Sequence, residues 1–250
     1  MALFENDAQS HQHSLSILNQ LAQYDAFLEN LSSIADMGCG LSDDIVWWAQ
    51  KENNFEDPPV PYNYTCYAID HDSRMLDRTL PDNVHKITAD FETKVLPRPV
   101  DFIWSHNSFQ YALNPINTLK LWNEQMNENG MLYICVPTQR YTKHNRMLRG
   151  TADFEYYSHT LGNLVYMLAV NGFDCNDAYF LKEQSEPWIH AAVYKSSVEP
   201  MDPRTTSWAK LAELGLLNKS MKDSVTKYGY LEENDLIFSW LDRSWHYSRD

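Results

Sequence analysis

Short apolar runs alternate along this chain with stretches where apolar residues recur every three or four positions. The runs are Ser33–Asp36, Tyr64–Ile69, Val84–Thr88, Val100–Ser105 and Met131–Val136. Their length and their content of β-branched and aromatic residues predict strands. Met131–Val136 has no polar position and reads as buried on both faces. Helical spacing predicts α-helices over Leu15–Leu31, Ile45–Ala49, Ser73–Leu80, Pro115–Asn127 and Tyr157–Val170. Ser42 reads as the N-cap of the second of these, with Asp43 and Asp44 at the positive end of its dipole. Pro58, Pro59 and Pro61 make residues 52–63 a loop. Two further strands, Ala178–Lys182 and Trp188–Ser196, have no helix between them and suit an antiparallel pair. Beyond Met201 only helical spacing remains, with Trp208, Leu211 and Leu214 on one segment and Leu236, Ile237, Trp240 and Leu241 on another.

Strands alternating with helices predict an α/β fold. The expected sheet is seven-stranded and mostly parallel, with an antiparallel last strand and helices on both faces. Residues 1–200 form the main domain, of which 1–31 is an N-terminal helical lid. Residues 201–250 form a C-terminal helical extension.

The stretch Ile34 to Asp44 carries the first chemical signal. An apolar run ends in Asp36, a Gly-Cys-Gly turn follows, and a helix begins. Gly38 and Gly40 let the backbone turn and approach a ligand without Cβ interference. A dinucleotide turn has a third glycine where this chain has Asp43, and a carboxylate there opposes a pyrophosphate. At roughly 4 Å and an effective dielectric of about 20, each such contact costs about 4 kcal/mol before screening. A phosphate-free, cationic nucleoside, S-adenosylmethionine, is compatible with the acids, and Asp36 is placed to face its ammonium group. The second strand ends in Asp70, where an acid suits ribose hydroxyls; the third ends in Ala89-Asp90-Phe91, and the fourth in Trp104-Ser105-His106-Asn107. In open α/β sheets such strand ends converge on the ligand.

With these motifs in this order, the chain resembles the class I (Rossmann-like) S-adenosylmethionine-dependent methyltransferases. The resemblance spans about residues 30–195 and covers Ile34–Gly40, Ile69–Leu76, Thr88–Phe91, Asp101–Ser105 and Gly130–Pro137. It implies that Asp36, Gly38 and Gly40 hold the methionine part of the cofactor, and that Asp70, with His71 beside it, binds the ribose. Asp90 and Phe91 would frame the adenine, and Ser105 would lie beside the methionine part or the transferred methyl. The chain departs from the family in two places: Ser42 stands where a third glycine is common, and the proline-rich loop lengthens the gap from Gly40 to Asp70. The product would be S-adenosylhomocysteine, and the acceptor an O or N of a small molecule or glycan. The rival expectations are an NAD(P)-dependent oxidoreductase and a methyltransferase fold kept as an inactive binding or assembly protein.

His106 is the candidate general base, because a histidine can take a proton near neutral pH; a merely orienting role is the plainer reading. Asn107, Tyr111, Tyr141, His144 and Arg146 are, with His106, the candidate acceptor contacts. His11 and His13 fall in the expected lid, or in a plain tail.

Composition narrows the partners. The chain has 250 residues, and its 34 acidic against 20 basic residues give a net charge of −14. That balance opposes nucleic acid and anionic membrane surfaces. No apolar run reaches a membrane span, and residues 1–10 do not read as a signal peptide, so a cytoplasmic protein is expected. Cys39, Cys66, Cys135 and Cys175 fit no zinc spacing, so no metal is expected, and Cys66 and Cys135, within apolar runs, read as buried free thiols. Trp240 and Trp245 suggest burial of the extension against something, a second subunit among the options.

Overall fold

The computed structural model describes residues 2–21, 23, 28–53, 58–73, 78–137, 157, 159–182 and 188–232. Its strands are β1 (Ser33–Met37), β2 (Glu52–Asn53), β3 (Val60–Pro61), β4 (Thr65–Asp70), β5 (Val84–Thr88), β6 (Val100–His106), β7 (Met126–Pro137), β8 (Phe173–Lys182) and β9 (Trp188–Lys195). The helices are α1 (Ala2–Leu21), α2 (Asp43–Ala49), α3 (Pro115–Glu124), α4 (Leu161–Val170), α5 (Trp208–Glu213) and α6 (Lys219–Tyr228).

Seven strands form one sheet in the order β5-β4-β1-β6-β7-β9-β8. The first five in that order run parallel, and β9 is antiparallel to both β7 and β8. The expected architecture is thus present, with the antiparallel strand inserted between β7 and β8. β1 is central and buried throughout, whereas the edge strand β5 exposes His85, Lys86 and Thr88, polar positions that discourage further strand pairing. β2 and β3 make a two-stranded ribbon inside the expected loop.

Each face of the sheet has its own apolar layer. On one, α3, α4, α5 and α6 bury Leu119, Trp122, Leu164, Leu168, Leu211 and Met221 against Ile69, Ile103 and Ile134. On the other, α1 and α2 bury Leu18, Ile45 and Trp48 against Ile34, Phe102, Trp104 and Tyr133. Trp104 and Tyr133 stack at 4.3 Å across neighbouring strands. The extension, as far as Leu231, shares the first layer, and Cys175 bridges to Leu217 at the sheet edge. Leu236, Ile237, Trp240, Leu241 and Trp245 lie outside the described residues.

Several element boundaries differ from the sequence reading. α1 spans Ala2–Leu21 instead of beginning at Leu15, because docking of its middle on α2 compensates for the polar start. α3 stops at Glu124: the Gln125 side chain accepts from the Val95 and Leu96 amides at 2.9 Å, fixing the chain as it enters β7. α4 begins at Leu161, where Thr160 and Asn163 form a reciprocal capping box. β8 starts at Phe173 and absorbs an irregularity between Asp174 and Tyr179. Of the helix expected over Ser73–Leu80, residues 74–77 lie outside the described residues, and the chain from Arg78 to Leu80 is not helical. Among the described residues, no helix is long and apolar enough to cross a membrane.

Candidate active site

The strand order reverses about β1, whose neighbours are β4 and β6. The crevice beyond the carboxyl ends of these strands is where open α/β sheets take ligands. The turn after β1 is set by its glycines: Gly38 and Gly40 have φ of +82° and +50°. The Gly38 and Cys39 amides both donate to the Ile69 carbonyl at 2.9 Å. A Cβ at Gly38 would lie 2.5 Å from the Ser108 Cβ, so no other residue fits without movement.

Ser42 is not the expected side-chain cap. It sits at φ +65° with no capping bond, and its hydroxyl lies 3.4 Å from the Cys39 sulfur. Cys39 and Ser42 close the tight turn by an amide-to-carbonyl bond of 2.7 Å, which turns the hydroxyl away from the helix amides. The following acids are engaged: Asp43 pairs with Arg78. Asp44 accepts from His11 Nδ1 (2.7 Å), the Ser14 hydroxyl (2.6 Å) and Trp104 Nε1 (2.9 Å). Burial opposes ionisation of Asp44, but these bonds and the nearby His106 hold its pKa below the usual carboxylate value.

Asp36 is different. Parallel register puts it beside Trp104 and Ala68 on the α1/α2 face. It is 3 % exposed, and no hydrogen bond to its carboxylate is found among the described residues. Burial, then the charges of Asp44 and Asp70, push its pKa well above the ordinary carboxylate range. An uncompensated buried acid is costly, and a cationic ligand group is the natural compensation.

Asp70 is braced from two sides: it accepts from the Gly40 amide at 3.1 Å and the Asp72 amide at 2.9 Å. His71 is 82 % exposed, with Nδ1 3.4 Å from the Asp70 carboxylate. Asp90 is exposed and accepts from the Glu92 amide at 2.9 Å. Phe91 is buried, its ring packed edge-on against Trp122 at 5.8 Å and reaching toward the Gly38 turn. The loop carrying this pair is held by residues that the sequence reading missed. Glu92 accepts from the Leu113 and Asn114 amides, and Trp122 Nε1 donates to the Phe91 carbonyl. Nothing in the local sequence marks Glu92 as a clamp on a chain segment some twenty residues away.

Ser105 and His106 point to opposite faces, as consecutive strand residues must. Ser105 is fully buried, 2.7 Å from the Ser108 hydroxyl, which donates to the Met37 carbonyl. This relay fastens the β1 turn to the β6 turn. His106 lies on the α1/α2 face with Asp36, and its Nε2 is 2.8 Å from His13 Nδ1. His13 itself stacks on Trp188 at 5.0 Å. The tail histidines thus belong to the site: His11 reaches α2 and His13 reaches β6, and α1 lies over the strand ends. Asn107 adopts φ +55°, donates its amide to the Cys135 carbonyl and accepts from Gln110. Tyr111 is exposed in the turn after β6. Tyr141, His144 and Arg146 lie outside the described residues. Asp101 is at the opposite end of β6, accepting from the amides and hydroxyls of Ser32 and Ser33.

No sequence family and no curated protein matches the chain. Solved structures do match. A candidate sarcosine dimethylglycine methyltransferase from Galdieria sulphuraria aligns with a TM-score of 0.56 and 13 % identity, over 74 % of this chain and 86 % of its own. The N-methyltransferase NodS of Bradyrhizobium japonicum aligns at 0.54 and 11 % identity, over 77 % and 99 %. Magnesium protoporphyrin IX methyltransferase of Synechocystis, solved with bound S-adenosylhomocysteine, aligns at 0.52 and 12 % identity, over 75 % and 84 %. The chain has the class I methyltransferase fold. Within that fold, Asp36, the Gly38–Gly40 turn, Asp70 and the Asp90–Phe91 loop lie at the carboxyl ends of three neighbouring strands, β1, β4 and β5. At these identities the likeness is one of fold.

Proposed function

We propose that this chain is a methyltransferase that uses S-adenosylmethionine to methylate an O or N of a small-molecule acceptor. The observation that carries the reading is Asp36, a buried carboxylate at the switch point of the sheet without a hydrogen-bond donor among the described residues. The cofactor, when bound, supplies a methyl group already activated on a sulfonium cation. Asp36 would accept from its ammonium group and regain ionisation. Asp70, held by the Gly40 and Asp72 amides, would accept from ribose hydroxyls. Asp90 and Phe91 would bound the adenine end. The Gly38 turn keeps the backbone close enough for these contacts.

His106, beside Asp36's face and under α1, would orient the acceptor or receive its proton. Methyl transfer from a sulfonium needs positioning above all, so a base is an addition and not a requirement. The crevice argues against a dinucleotide. Gly40, one of the amides that would cradle a pyrophosphate, already donates to the Asp70 carboxylate, and Asp43 and Asp44 stand at the start of α2.

Equilibrium dialysis with labelled S-adenosylhomocysteine, run beside a fluorescence titration with NADH, tests the reading. Micromolar retention of the first with no response to the second supports it. The reverse pattern would sink it. Cofactor retention without transfer to any extracted metabolite would instead mark an inactive binding protein.

A further inference from the structure

We propose that His13, His106 and Cys135 bind one divalent transition-metal ion of the zinc class at the carboxyl end of the sheet. The strand register assembles the site. His106 on β6 is paired with Cys135 on β7, and Cys135 with His190 on β9. Paired residues share a face, so these three side chains form one row on the α1/α2 side. α1 then lowers His13 onto the row, with Nδ1 2.8 Å from His106 Nε2. One nitrogen from each of His13 and His106 and the Cys135 sulfur lie within 4.8 Å of one another.

The donor set selects the ion. Two imidazoles and a thiolate suit zinc, cobalt and copper, whereas calcium and magnesium require oxygen ligands, and the triangle offers none. The surroundings are those of a supported metal site. His106 and Cys135 are buried, Trp104 stacks parallel to His106 at 6.0 Å, and Trp188 stacks on His13. His190, next in the row, is turned to the Tyr133 hydroxyl at 2.7 Å. Dry aromatic walls and hydrogen-bonded neighbours fix ligand orientation and limit solvent access. With one thiolate the bound ion leaves a net positive charge, which Asp44, whose charge acts on His106, offsets in part.

Coordination balances simply. The Cys135 thiol releases its proton to solvent as the sulfur–metal bond forms. Of the two neutral rings, the one that now donates across this contact shifts that proton to its far nitrogen by exchange with solvent, so both facing nitrogens present lone pairs to the ion. No oxidant or reductant takes part. The two ring nitrogens would separate to roughly 3.3 Å, the span of two ligands on a tetrahedral zinc ion, a shift of a few tenths of an ångström in α1. Three protein ligands leave one position for water or a substrate oxygen, and the ion would tie α1 to the sheet. The proposal shares His106 with the methyltransferase reading, in which a liganded His106 would orient the acceptor and not take its proton. It needs no cofactor, so metal binding and cofactor binding are tested separately.

Cobalt titration of the full chain, stripped of metal with a chelator, is the test. One equivalent should bind with micromolar affinity or better. It should give intense tetrahedral d–d bands and a sulfur-to-cobalt charge-transfer band, and zinc should displace it. Cys135→Ser should abolish the charge-transfer band, and His13→Gln should weaken binding more than tenfold while the far-UV circular dichroism is unchanged. His13 is on the docked helix and outside the sheet, so its variant is informative even if Cys135→Ser fails to fold. No binding at millimolar cobalt would overturn the proposal, as would binding with an unaltered spectrum and affinity in His13→Gln.

Discussion

His13 Nδ1 lies 2.8 Å from His106 Nε2, joining positions 93 apart in the chain. With His11 on Asp44, it fastens α1 at two points, one on α2 and one on β6. The roof over the strand ends is therefore made by a segment whose sequence is polar and unremarkable, and its attachment is made by titratable groups.

That attachment should respond to pH. The bond to Asp44 raises the His11 pKa above its ordinary 6.5, aided by the charges of Asp44 and Asp43 and opposed by burial and Arg78. A raised histidine contributes fully below its unfolded pKa and loses the contribution as pH rises through the folded value. Asp44, held below its ordinary 3.8, acts at the other end: its contribution is present above that value and fades as pH falls. Protection of the α1 amides, after correction for the intrinsic pH dependence of exchange, should therefore be greatest at mildly acidic pH and fall on the alkaline side, by about 0.5–1 kcal/mol for a partly exposed pair. In His11→Gln, which keeps a donor but does not titrate, the alkaline change should vanish. An identical pH profile in the variant would refute the assignment.

The glycine turn should be intolerant for two separable reasons. Gly38 and Gly215 have nearly the same φ, +82° and +79°, but only Gly38 has a neighbour in the way. Gly215→Ala should cost about 1–2 kcal/mol, the price of a left-handed alanine. Gly38→Ala should cost a further 1–3 kcal/mol, roughly, for the clash with Ser108. Urea denaturation of both variants measures the difference; equal losses would show that the turn can yield.

His159 is 2 % exposed, and among the described residues neither ring nitrogen has a hydrogen-bond partner. Its ring stacks on Phe109 at 5.4 Å. Burial pushes its pKa down to about 4 from 6.5, so the folded state keeps it neutral while the unfolded chain takes up a proton. Stability is therefore lost as pH falls from the unfolded value toward the folded one, by about 3 kcal/mol in all. His159→Phe should flatten this acid limb, and at neutral pH should raise stability by about 1 kcal/mol through removal of two unpaired polar atoms. A steeper acid limb in the variant would contradict the assignment.

Much of this was readable from residue order alone. The parallel strands appear as apolar runs followed by acids, because their side chains fill the core and the polar groups gather at the carboxyl edge of the sheet. Asp36, Asp70 and Asp90 mark that end. What depends on register and docking was not readable. The row His106, Cys135 and His190 exists because three strands align, and those residues share no local motif. His11 and His13 join the site only through the position of α1, whose first ten residues carry no amphipathic signal of their own. Ser42 reads as a cap by residue type, but the tight Cys39 turn sends it into the left-handed region. Glu92 clamps the Asp90 loop through contacts with the start of α3, again at a distance.

The most direct measurement is calorimetric titration of S-adenosylmethionine into the native protein and Asp36→Asn, with urea denaturation of both. Asp36 is a buried carboxylate awaiting a cation, so its replacement should weaken binding by about 1.5–3 kcal/mol, or some ten- to hundredfold. The ligand-free variant should at the same time gain about 1–3 kcal/mol of stability at neutral pH, since the cost of holding a buried carboxyl un-ionised is removed. Unchanged affinity in Asp36→Asn, or no binding to the native protein at millimolar cofactor, would contradict the account.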